Sequence, residues 1–192
     1  RGMISTAGGA GGIARFSGDS DDIIIGDAGT TFHASADNNI AIGIDALDAT
    51  SGAALANIGI GTDALTALAD GDYNVAVGYQ ALKTETDSSN NTAVGYRALK
   101  TQNGGVGNVG IGSDAGMEIT TGDYNVVVGY AAGDGITTGG YNVSIGGLTM
   151  NDGSNAAGDC VVIGGTAGQA AMTTAANGSV FIGYSSGKAH TS

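Results

Sequence analysis

The apolar positions of this chain recur as a short phrase and not as a helical stripe. Two β-branched residues flank one small residue in Ile40, Ala41 and Ile42, in Ile58, Gly59 and Ile60, in Val75, Ala76 and Val77, and in Val109, Gly110 and Ile111. Period-two β-branching predicts a short strand, with the β-branched pair on its buried face. A glycine closes each phrase: Gly26, Gly43, Gly61, Gly78, Gly95, Gly112, Gly129, Gly146, Gly164 and Gly183, at separations of 17, 18, 17, 17, 17, 17, 17, 18 and 19 residues. The longer intervals carry their extra residues between phrases, where loops absorb them.

Other columns keep the same spacing. Four residues before the glycine stand Asp22, Asn39, Asn57, Asn74, Asn91, Asn108, Asn125 and Asn142, then Cys160 and Ser179. Asparagine tolerates a left-handed corner and its amide can bond to an identical amide in the next copy, so this column is expected to be structural. Alanines three after the glycine (Ala46, Ala64, Ala81, Ala98, Ala115, Ala132) predict close backbone approach, and Leu47, Leu65, Leu82 and Leu99 follow them. A unit this short buries too little apolar area to offset the entropy of ordering it, so the copies must stack. Stacked strands lie about 4.8 Å apart, which predicts an all-β solenoid, a rod of roughly 45 Å. The 37 glycines and the absence of proline suit many sharp corners and an unbroken hydrogen-bond ladder. Helix formers at 44–56 do not change this, because interior glycine costs about 1 kcal/mol relative to alanine in a helix.

Residues 1–20 read as a glycine-rich lead-in or cap and 21–192 as the repeat domain. Net charge is −12, yet only 12% of residues are charged. Six Lys and Arg scattered along the chain form no basic stripe, which excludes electrostatic nucleic-acid binding. No apolar run of eighteen residues is present, so no membrane-embedded segment is expected. The single cysteine, Cys160, sits in the asparagine column and reads as a small buried replacement.

Candidate chemistry is sparse. His33 and His190 are far apart in the stack, so neither a hydrolase triad nor a histidine metal cluster is available, and no enzyme is expected. Calcium is the one candidate ion: Asp19, Asp21 and Asp22 cluster, and Asp45, Asp63 and Asp114 share a column two after the glycine. Gln80 and Arg97 interrupt that column and favour solvated polar positions. All seven tyrosines fall in two columns. Tyr73, Tyr124 and Tyr141 lie five before the glycine, and Tyr79, Tyr96, Tyr130 and Tyr184 just after it. The second column reads either as rings packed across a seam between chains or as a glycan-contacting strip.

The phrase N-x-A-V/I-G-Y-x-A-L, with turns such as Ile119 to Asn125 and Ile136 to Asn142, resembles the head repeats of trimeric autotransporter adhesins of the YadA type. More closely, it is similar to repeats of the same length in bacteriophage tail-fibre proteins, notably those infecting marine cyanobacteria. The resemblance covers about Asp21 to Gly187. It implies a left-handed parallel β-roll, a homotrimeric shaft, and a role in attachment on the virion. The implied partners are sister chains, other fibre or baseplate proteins, and a host-surface glycan or protein. The YadA-type repeat is shorter, and neither a heptad stalk nor a self-cleaving chaperone is visible here. A bacterial surface adhesin head therefore stands as the alternative.

Overall fold

The computed structural model describes residues 15–16, 22–26, 36–50, 53–152, 156–169 and 176–187. Eleven strands occur among them: β1 Arg15–Phe16, β2 Ile23–Gly26, β3 Ile40–Gly43, β4 Ile58–Ile60, β5 Val75–Val77, β6 Thr92–Val94, β7 Val109–Ile111, β8 Val126–Val128, β9 Val143–Ile145, β10 Val161–Ile163 and β11 Val180–Ile182. They form one sheet in chain order. From β2 to β11 every pairing is parallel and in register, so that Ile40 lies against Ile58, Val75 against Thr92 and Val161 against Val180. The chain is a parallel β-solenoid, and nine steps between ten parallel strands span about 43 Å. Of the lead-in expected at 1–20, Arg15–Phe16 is the part within the described residues. It pairs antiparallel with β2.

The strand faces are the reverse of those expected from the sequence. The small middle residue points inward: Ala41, Ala76, Ala93, Val127, Ser144 and Val162 are buried, whereas the β-branched pairs around them are half-buried or exposed. The reason is the thinness of the coil. A Cβ added at Gly59 would stand 3.2 Å from Leu47 Cγ and 3.3 Å from the Ala64 carbonyl oxygen, so in such a leucine-filled coil the inward position has room for little beyond a methyl group, and valine enters it only at Val127 and Val162. The β-branched pair follows strand propensity and neighbour packing along the ladder, not burial in its own coil.

The interior is one layer of side chains. Leu47, Leu65, Leu82 and Leu99 are fully buried, as are the alanines before them. In the next two coils glycine replaces leucine at Gly116 and Gly133, and larger residues fill the space. A Cβ at Gly116 would meet Ile119 Cδ1 and Leu99 Cδ2 at 2.8 Å and Val127 Cγ2 at 3.0 Å. Volume removed from one column is thus restored by another, which keeps the core close-packed.

Left-handed backbone recurs, but not at the asparagine column as expected. It falls one residue earlier, at Asn38, Ala56, Tyr73, Asn90, Tyr124, Tyr141 and Asp159, and again two and four after the glycine, as at Gln80 (φ 57) and Leu82 (φ 48). These corners turn amides alternately up and down the stack. Gln80 N–H donates to the Thr62 carbonyl of the preceding coil, and Leu82 N–H to the Ala98 carbonyl of the following one. The turn therefore contributes a second hydrogen-bonded ladder beside the sheet, which pairs backbone amides that the strands do not.

Candidate functional site

Two surfaces run the length of the rod, one internal and one external. The internal one is the asparagine column. Asn39, Asn57, Asn74, Asn91, Asn108, Asn125 and Asn142 are all fully buried. Each side-chain oxygen accepts the backbone N–H of the next column residue at 2.8–3.1 Å, from Asn57 through Cys160. Asp22 begins the series by accepting from Asn39 N–H at 2.7 Å. Each Nδ2 donates to the carbonyl three residues before the next column residue, Asn74 to Ser88 and Asn108 to Gly122 among them. A column so enclosed touches no outside partner; it ties successive coils together. Cys160 continues it with a weaker donor, its thiol lying 3.2 Å from the Gly158 and Ala176 carbonyl oxygens.

A buried polar pair joins this column at one corner. Glu85 Oε1 accepts the N–H groups of Asp87 and Ser88 at 3.2 and 2.8 Å, and Oε2 accepts Gln102 Nε2 at 3.2 Å. Gln102 in turn accepts from Asn108 Nδ2. Leu68, Ile119 and Ile136 hold the equivalent places elsewhere, all fully buried. The sequence signal was available as seven residues after the glycine, but an apolar-to-polar change there reads as a surface position until the corner is seen to fold inward.

The external surface is the outward face of the sheet. Ile25, Val94, Ile111, Ile145, Val180 and Ile182 are exposed along it. Tyr79 and Tyr96 follow the glycines that come directly after β5 and β6. Tyr79, Tyr96, Tyr130 and Tyr184 are all exposed, as are Tyr73, Tyr124 and Tyr141 in the earlier column. Tyr79 and Tyr96 stack with centroids 5.4 Å apart and planes 14° apart. The Arg97 guanidinium lies 4.8 Å over the Tyr96 ring. Of the four ring faces in this pair, two cover each other and the cation takes one on Tyr96.

Charged side chains pair between coils, in one case with an offset along the repeat. There a residue five after one glycine meets the residue two after the glycine before it. Lys83 Nζ reaches Asp63 Oδ2 at 2.8 Å, while Gln80 donates to the same oxygen at 3.0 Å. Hydrogen bonds from Lys83 and then Gln80 hold the Asp63 carboxyl below its usual range, against a smaller opposing effect of burial. Asp114 pairs with Arg97 at 2.7 Å. Asp63 and Asp114 are thus each paired with a cation of a neighbouring coil. Among the described residues no group of three or more His, Cys, Asp or Glu side chains is arranged to hold a metal ion. Asp19, Asp21, His33 and His190 lie outside the described residues.

By the same offset Asp134 stands where a lysine would face Asp114. Burial, then Glu118 and Asp114, push its carboxyl up to about 6, with Arg97 opposing. Its Oδ1 is buried without a hydrogen-bond partner. A carboxyl raised in the folded state contributes stabilisation that is complete below its ordinary value of 3.8 and is lost as pH rises through about 6. The thermal midpoint is therefore expected to be higher at pH 5 than at pH 7, and Asp134→Asn should remove most of that increment. Calorimetry at the two pH values checks this; an equal increment in the variant would refute it.

Among the described residues no helix is long and apolar enough to cross a membrane. Comparison with known protein families, characterised proteins and solved structures finds no match to this chain.

Proposed function

We propose that the chain is a non-enzymatic segment of a bacteriophage tail fibre, in which three copies of a left-handed β-roll pack into one shaft that displays or forms a receptor-binding surface. One observation carries the reading: the outward β-branched face is unpartnered over the length of the sheet. Two apolar side chains per strand, repeated at about 4.8 Å, make a stripe on the order of 400 Å². A stripe of that size on a chain with only 12% charged residues is better explained by an interface than by permanent contact with water. Sister chains are the natural occupant, because identical repeats present identical spacing and a closed rotation buries the same stripe three times.

Within the tyrosine column beside the stripe, Tyr79 and Tyr96 fit the seam better than a glycan platform, since a pyranose needs an open ring face and the two rings cover one face of each other while Arg97 lies over Tyr96. Receptor contact, with a host-surface glycan or protein, then falls to other faces of the shaft or to neighbouring fibre and baseplate proteins. Multivalent display lets weak contacts add through effective concentration. The same stripe serves the second reading, a bacterial surface adhesin head. Capsid and baseplate genes beside the coding sequence would favour the fibre, and an outer-membrane anchor the adhesin.

Sedimentation equilibrium is expected to give three times the 18.5 kDa chain mass. Lysine at the outward positions Val94 and Ile111 should reduce this to one chain, with the strand signal in circular dichroism retained. A wild-type monomer, or a double-lysine variant that stays trimeric, would remove the basis for the seam.

A further inference from the structure

The seven tyrosines are not equivalent neighbours. Tyr73 stands between Ala56 and Asn90 in its column, Tyr130 between Ser113 and Gly147, and Tyr184 follows Gly165. Only two column-adjacent pairs exist, Tyr79 with Tyr96 and Tyr124 with Tyr141. Tyr124 and Tyr141 precede β8 and β9 by the same interval, and their backbone N–H groups are fixed to the preceding coil, to Val106 at 2.9 Å and Asp123 at 2.8 Å. Their ring centroids are 5.1 Å apart and the planes are tilted by 28°. Both rings are at least half exposed, at 50% and 62%. Gly107 makes room beneath the first ring, because a Cβ there would stand 2.7 Å from Tyr124 Cδ1.

We propose that Tyr124 and Tyr141 are an oxidative cross-linking site, at which a haem peroxidase using hydrogen peroxide joins the two rings and staples adjacent coils. The peroxidase withdraws one electron from each tyrosine, and each phenol releases its proton. The resulting phenoxyl radicals pair through their ring carbons ortho to oxygen, forming one carbon–carbon bond. The hydrogens on those carbons then move as protons to the oxygens, which restores both phenols. Two electrons and two protons leave the pair and reduce one peroxide to two waters.

Electrostatics favours this pair over the other. The Arg97 guanidinium above Tyr96 opposes withdrawal of an electron from that ring. Beyond Tyr141 the next rung of its column is Asp159, an exposed carboxylate whose negative charge favours the same step. The bond would close a loop of one coil, and a cross-link of this kind restricts the unfolded chain.

The inference does not depend on the number of chains in the assembly. Intact protein treated with a haem peroxidase and limiting hydrogen peroxide is expected to yield a single-chain product lighter by two hydrogen atoms, with dityrosine fluorescence. Proteolytic mapping should place the bond between Tyr124 and Tyr141, and its thermal midpoint should exceed that of untreated protein. Tyr141→Phe should abolish the intrachain product, whereas Tyr73→Phe should leave its yield unchanged. Intrachain product surviving in Tyr141→Phe, or Tyr73 and Tyr184 consumed in chain-to-chain dimers while Tyr124 and Tyr141 stay unlinked, would overturn the assignment.

Discussion

Alanine at Gly112 is expected to cost about 4 kcal/mol or more, enough to separate the stack at its middle. Two independent effects act at this position. Its φ of +133° lies where a side chain is strained, which costs about 1–3 kcal/mol by itself. In addition, the new Cβ would stand 2.5 Å from the Gly129 carbonyl oxygen and 2.8 Å from its carbon, and backbone in the coil above cannot swing aside as a flexible side chain would. Relief requires the two coils to part, which lengthens the hydrogen bonds of β7 with β8 as well. Gly183 supplies the control, because it shares the column and has a φ of +121°, yet no described atom lies within 4 Å of its added Cβ. Gly183→Ala should therefore show only the strain, about 1–3 kcal/mol. Urea titration of both variants measures the difference, and equal losses would mean that contact between stacked glycines is not what excludes the methyl group.

Those glycines were the most legible part of the chain, and the reason is physical. Solenoid coils must superimpose, so a position that admits only glycine in one coil admits only glycine in the next, and the constraint repeats at the period of the fold. The asparagine column was legible for the same reason: amide accepts from backbone and donates to a carbonyl in every coil, and few other side chains do both. What pattern could not supply was the direction in which strands face. A period of two assigns Val75 and Val77 to one side and Ala76 to the other, but says nothing of which side is the interior. Hydrophobicity argued for the valines, and the volume available beneath Leu65 and Leu82 decided for alanine. Asparagine's tolerance of the left-handed region points to the column itself, whereas the strained residue is its predecessor, as at Tyr73 and Tyr124, and asparagine stands in the column for its hydrogen bonds.

The outer surface was legible only in part. Tyrosine columns could be read by counting from the glycine, whereas the offset of three that brings Lys83 to Asp63 follows from how the turn crosses beneath the preceding coil. That offset leaves no mark in composition. Once it is known, the sequence becomes informative again, since it identifies Asp134 facing Asp114 as a place where that pairing is broken. Rule-breaking positions in a repeat are where local conflict concentrates, and here the conflict appears as a carboxyl with its proton held more tightly than usual.

Asn108→Ala should destabilise the solenoid by about 3–6 kcal/mol, although it deletes no large apolar group. The side chain makes four kinds of bond at once. Its Oδ1 accepts Asn125 N–H at 2.8 Å and Asn125 Nδ2 at 3.1 Å, and its Nδ2 donates to Gly122 at 2.7 Å and Gln102 Oε1 at 3.3 Å. Truncation leaves the Asn125 amide, the Gly122 carbonyl and the Gln102 oxygen buried and unpaired, and each such group costs about 1–3 kcal/mol. Water cannot replace the lost partner readily, because the column is enclosed and the vacated space is small. Cys160→Ala is the comparison at the far end of the series. Its thiol makes only weak contacts, and its own N–H stays bonded to Asn142, so the expected loss is below about 2 kcal/mol. Asn108→Asp separates hydrogen bonding from shape. The carboxylate can still accept from Asn125, but it faces the Gly122 carbonyl and the Gln102 oxygen without a proton to offer. Its deficit should shrink as the pH falls and the acid regains a donor, since a carboxyl whose folded state favours the proton is stabilised below its ordinary range. Denaturation at pH 7 and pH 4 decides the matter: a deficit in Asn108→Asp that is the same at both would mean the amide fills space in the column and does not bind the coils together.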